Sequence, residues 1–84
     1  MKDQELFLNT KFGLIDLIEF KHTMEQNGWI IVTNSVNSVT EVTIYENEDD
    51  RKWEEAMIMS TADTFEKAFL ICLIEIKNYY KYKS

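Results

Sequence analysis

The sequence has no proline, two glycines, one cysteine and one histidine, and only 9 basic residues stand against 15 acidic ones across 84 positions. Each scarcity excludes something. Gly13 and Gly28 lie too far apart for G-x-x-x-x-G-K or G-x-G-x-x-G, so a dedicated nucleotide-phosphate loop is not expected. Cys72 alone cannot build a disulfide framework, which points to a reducing compartment. The longest apolar run, Ala68 to Ile74, has seven residues, against the ~20 needed to cross a bilayer. Met1-Lys2-Asp3-Gln4-Glu5 lacks the basic-then-apolar run of a signal peptide, so a cytoplasmic protein is expected. A net charge of -6 argues against direct binding to nucleic acid or to an anionic membrane, since both rely on Lys and Arg.

What remains describes a folded chain. Hydrophobic residues make up 45% and charged ones 29%, too apolar for disorder and ordinary for a globular domain. The length allows one domain over residues 1–84, with residues 1–8 as an N-terminal arm or extra turn.

Residues 10–27 read as a helix. Leu14, Leu17, Ile18, Lys21 and Met24 follow the spacing of one face, Asn9 or Thr10 can cap its start, and Gly28 can take the left-handed position past its end. Residues 29–36 and 39–46 are β-branched and aromatic, and Asn37-Ser38 between them suits a tight hairpin turn. Val42 and Ile44 share one face of the second strand, while Glu41, Thr43 and Tyr45 share the other. Residues 47–52 read as a polar turn and residues 53–59 as a third antiparallel strand. Asp63 with Glu66 three positions on resembles a capping box, opening a helix over about 64–80 with Phe65, Ala68, Phe69, Cys72, Ile76 and Tyr79 on its core face. The expected fold is therefore α+β, in the order α-β-β-β-α, with a three-stranded antiparallel meander packed with two helices on one face or one on each.

Leu70, Ile71, Leu73 and Ile74 are apolar too, off that core stripe. A helix apolar all round is covered on more than one side, here either by the first helix or by a partner such as a second copy of the chain.

Motifs that carry chemistry are few. Glu19 and His22 have the Glu-x-x-His spacing of di-iron helices, but the motif occurs once and such sites need two copies, so a solvated face with Asp16 and Glu25 is the better reading. Cys72 reads as a small buried hydrophobe rather than a reactive thiol. Neither a nucleophile–base–orienter set nor a cofactor site can be assembled, and catalytic, cofactor and metal residues are all expected to be none. The Tyr and Lys residues from Asn78 to Ser84 mix aromatics with base as single-strand platforms do, but cations at a helix C-terminus explain them more simply.

The most distinctive feature is acidic. Between Glu41 and Glu55 seven acids face only Arg51 and Lys52. Such a segment can be a solvated turn guarding a sheet edge. Calcium ligation by Glu48, Asp49 and Asp50 lacks the alternating ligands and sixth-position glycine of an EF-hand loop. In a third reading, Glu46, Glu48, Asp49, Asp50, Glu54 and Glu55 form a face that engages a basic, nucleic-acid-binding groove on a host protein.

Trp53, Ala56, Ala62-Asp63-Thr64 opening a helix, Ala68 and Cys72 resemble the closing strand–helix unit of small phage proteins, including those called phage ABA-sandwich domains. The resemblance covers residues 53–76. It implies an α/β sandwich and a phage or prophage origin, and it carries over no site residues. With the small size and the acidic segment, it leads to an expected function: a non-enzymatic, phage-encoded inhibitor of a bacterial defence nuclease, anti-CRISPR-like in style. The alternative is a homodimeric phage housekeeping or regulatory subunit working through Leu70, Ile71, Leu73 and Ile74.

Overall fold

A computed structural model describes residues 2–83, with side chains from Gln4 onward. The elements are α1 (Lys2–Leu8), a 3₁₀ turn (Phe12–Leu14), α2 (Leu17–Gln26), β1 (Ile30–Val36), β2 (Val39–Tyr45), α3 (Glu48–Lys52), β3 (Ile58–Ala62) and α4 (Phe65–Lys83). The fold is α+β in the order α-β-β-β-α, as expected, with the first helical region divided and a short helix added before β3. Its radius of gyration of 12.4 Å matches the ~12 Å of a compact chain this long.

The division of the first helix is a correction. Of the two expectations for this stretch, residues 2–8 take the helical one, as a separate helix packed on α4 rather than an arm (Met1 lies outside the described residues). Thr10 closes α1 by donating its hydroxyl to the Leu6 carbonyl at 2.6 Å, so neither it nor Asn9 starts a helix. The cap of α2 is Asp16, whose carboxylate accepts the amides of Ile18 and Glu19 at 3.0 and 3.2 Å. The buried face of α2 is Phe20 and Met24, while Leu14 is 82% exposed and Ile18 47%. At the other end Gly28 takes φ 93°, with its amide on the Glu25 carbonyl and the Trp29 amide on the Met24 carbonyl. That is a Schellman ending, and it seats buried Trp29 against buried Met24.

The hairpin matches expectation closely. Asn37 and Ser38 both have positive φ, 51° and 65°, as a two-residue type I′ turn requires, and β1 pairs with β2 from Val36↔Val39 to Ile30↔Tyr45. The third strand is displaced from residues 53–59 to Ile58–Ala62, pairing with β2 from Thr40↔Ala62 to Ile44↔Ile58. Read as a strand, residues 53–59 would set Glu55 between Trp53 and Met57 on one face and Glu54 beside Ala56 on the other, so either face would carry a carboxylate into a core. The polar turn at 47–52 is instead the helix α3, because the Asn47 side chain accepts the Asp50 amide at 2.8 Å and caps it.

The sheet order is β1-β2-β3. Val42 and Ile44 of the central strand are fully buried beneath α4, and the Cys72 thiol points at the Val42 carbonyl, 3.7 Å away. On the opposite face Val32, Asn34, Val36, Val39, Met59 and Thr61 are exposed. The long helices therefore form one layer on one face, and the other face of the sheet is largely exposed, with Ile30, Glu41, Thr43 and Tyr45 half-buried on it. Beside the sheet, Phe7 of α1 sits among Phe12, Phe20, Trp29 and Tyr80 with ring centroids 5.4–6.0 Å away. Lys77 of α4 ties this corner shut by donating to the Thr10 carbonyl at 2.8 Å.

In α4 the cap also moves by one residue. The Thr64 hydroxyl accepts the Lys67 amide at 3.3 Å, and Asp63 instead forms an exposed ion pair with the Lys67 side chain at 3.2 Å, which lowers the Asp63 pKa. The core face is Ala68, Phe69, Cys72, Leu73, Ile76 and Tyr80; Phe65 is half-buried and Tyr79 half-exposed.

Candidate functional site

The six acids of the expected face all fall on one lobe, the connection from Glu46 to Met57 between β2 and β3. It holds six acids and two bases. Its shape follows from short-range bonds. Asn47 caps α3, which places Glu48, Asp49 and Asp50 in the first turn, where the free amides of the helix favour negative charge. The Trp53 amide bonds the Asp49 carbonyl, and the Glu55 amide returns to the Asp50 carbonyl at 2.8 Å. The return is possible because Glu54 adopts φ 55°, a left-handed conformation that a residue with a Cβ enters at a cost.

Glu46, Glu48, Asp49, Glu54 and Glu55 are exposed and Asp50 is half-buried. Arg51 is engaged by Glu48 at 3.1 Å, with both side chains about half exposed. The result is a lobe whose negative charge faces outward.

Sequence reasoning missed the residue at its centre. Trp53 was assigned to a strand, yet it caps α3 at its C-terminal end with 78% of its surface exposed. The signal was present: a tryptophan flanked by Arg51, Lys52, Glu54 and Glu55 has no apolar neighbour to share a buried face with. Tryptophan is, with tyrosine and arginine, enriched among interface hot spots, so an indole left in water on an acidic lobe is a candidate anchor.

The other expected sites fare differently. Of the α4 residues, Leu73 is fully buried in the core, Leu70 is half-buried, and Ile71 and Ile74 are 40% and 45% exposed. A partner surface there is reduced to two isoleucines. His22 is exposed and lies 3.6 Å from Glu25. Among the described residues no three metal-ligating side chains come together.

An open cleft of ≈ 380 Å³ lies between α1 and α2, lined by Leu6, Thr10, Ile15, Asp16, Glu19, Phe20 and Thr23. Its polar groups are largely committed to the helices: Asp16 to the cap, and the Thr10 and Thr23 hydroxyls to the Leu6 and Glu19 carbonyls. It brings no nucleophile to a base. At the C-terminus, Tyr80 is buried, and Lys83 lies over the Tyr79 ring at 5.4 Å. No helix among the described residues is long and apolar enough to cross a membrane.

No family model, no curated protein and no solved structure matches the chain.

Proposed function

We propose that this chain is a non-enzymatic protein-binding module that docks the lobe of residues 46–57 onto a basic surface of a partner. The carrying observation is Trp53, 78% exposed on a lobe that holds six acids and two bases. An aromatic anchor ringed by charge suits a partner with an apolar notch inside a field of Lys and Arg. Nucleic-acid channels have that composition, and a rigid acidic lobe competes there with the polyanion. In its specific form, the proposal is a phage-encoded inhibitor of a bacterial defence nuclease, acting in the host cytoplasm. The acidity of the chain and the resemblance of residues 53–76 to small phage proteins favour that form.

The test is capture of nucleic-acid enzymes from bacterial lysate on immobilised protein, followed by affinity measurement on the purified partner. Trp53→Ala is expected to weaken binding by more than about thirtyfold, the hot-spot scale of ~2 kcal/mol, with thermal stability unchanged. A charge-reversed lobe (Glu48→Lys, Asp49→Lys, Asp50→Lys, Glu54→Lys) is expected to abolish it, and wild-type binding should weaken as salt rises. A partner held equally by wild type and both variants refutes the lobe as the site. The alternative, a regulatory subunit pairing through α4, predicts association indifferent to the lobe and lost on Ile71→Glu with Ile74→Glu.

A further inference from the structure

We propose that β1 is a self-association edge, through which two copies of this chain join antiparallel about a two-fold axis at Thr33 into one continuous sheet. The inference does not depend on the acidic lobe.

β1 is the outer strand of the sheet and, among the described residues, pairs only with β2. Its last five residues, Val32 to Val36, are all exposed, those facing the helix layer included, so the helices do not reach over the end of the hairpin. Soluble proteins guard such an edge with charge, proline, a bulge or a covering element. None is present. The seven pairs with β2 run without interruption, and the residues from Gln26 to Thr40 include no charge, the longest such stretch in a chain that is 29% charged.

The turn decides which groups the edge offers. Val36 and Val39 flank a two-residue turn and form its hydrogen-bonded closing pair, so Asn34, Val32 and Ile30 also bond inward to β2. The amides and carbonyls of Ile31, Thr33 and Ser35 are then directed outward.

Those three positions fit a second copy of the same strand. With the axis at Thr33, Thr33 faces its own counterpart and Ile31 faces Ser35 of the other copy, giving about six main-chain hydrogen bonds. On the largely exposed sheet face the same register sets Ile30 against Val36 and Val32 against Asn34, pairs of the kind that stabilise neighbouring strands. Charge sets where two copies can meet. Each copy carries a net -6, so two copies repel over most approaches, and the uncharged hairpin is where they can touch. A charged foreign strand would find no counter-charge there.

Sedimentation equilibrium over a wide concentration range reads the outcome. The mass is expected to rise from 10.0 kDa toward twice that value, and added salt should favour the dimer by screening the repulsion between the two bodies. Amide exchange at Ile31, Thr33 and Ser35 should slow on concentration while the amides already bonded to β2 stay constant. Thr33→Lys sets two lysines directly opposite each other at the axis, their Cα atoms about 5.5 Å apart, and the repulsion of like charges should restore the monomer. Ser35→Lys, at an exposed position, should weaken the dimer in the same direction, with circular dichroism confirming that both variants fold. The charge-reversed lobe variant, whose smaller net charge weakens the repulsion, should dimerise at least as well as wild type, so loss of partner binding and loss of the dimer are read separately. A wild-type mass fixed at 10.0 kDa throughout overturns the proposal. So does a dimer that survives both lysine variants, or an edge that takes up another protein's strand while two copies stay apart.

Discussion

Phe7 and Leu14 show how far a side chain's role depends on partners that the local sequence does not reveal. Phe7 lies in a stretch readable as a loose arm, yet it is fully buried at the centre of a five-ring cluster. Leu14 lies on a well-spaced apolar stripe and is 82% exposed. Phe7→Ala is therefore expected to cost about 3–5 kcal/mol and Leu14→Ala to stay within about 0.5, measured by urea unfolding. Cys72 makes a second contrast. Burial pushes its thiol up to about 11, with Glu75 adding to the effect and the Ser60 hydroxyl opposing it. The neutral thiol is the form the core accepts. Its contribution is fully present below about pH 9 and is lost as pH rises through 11, since above the unfolded value the unfolded chain gives up the proton first. Wild type should therefore lose stability between pH 9 and 11 more steeply than Cys72→Ala, by about 2–3 kcal/mol over that window.

At the level of elements, the signals that carried the fold were local ones. Asn37-Ser38, the β-branched runs beside it and Gly28 each specify one backbone conformation, and each is found as expected. Signals that need a choice between neighbours were less secure. The spacing Asp-x-x-Glu occurs at both Asp16 and Asp63, and only the first Asp caps. At the second, Thr64 stands one residue nearer the helix and takes the amide bond, leaving Asp63 to pair with Lys67. The stripe of α2 failed in the same way: Leu14 and Ile18 compete with Leu17, Phe20 and Met24 for the inward face, and only the position of α1 and α4 decides between them. β3 was misplaced because Trp53 has high strand propensity while its neighbours forbid a strand. The turn itself offers a test. Ser38 holds φ 65° against its Cβ, and Asn-Gly is the preferred pair for this turn. Ser38→Gly should raise the thermal midpoint, by a gain of up to about 1 kcal/mol.

For the molecule as a whole, the acids of the candidate site were readable because charge is a property of composition, while its anchor was not, because exposure is a property of the finished fold. The same holds for the question of layers: apolar residues on every side of α4 fitted either a second helix or a partner, and α1 turns out to cover part of that surface. That arrangement bears on the order of assembly. The Phe7 cluster joins α1 to Tyr80, and Lys77 reaches Thr10 across 67 positions of chain. Closing so long a loop comes before any reward from its contacts, which slows folding. The hairpin closes over neighbouring residues and needs no such wait. On a ribosome, the helix made first stays without its partner until the last helix has emerged, so the aromatic corner is the final part of the molecule to become dry.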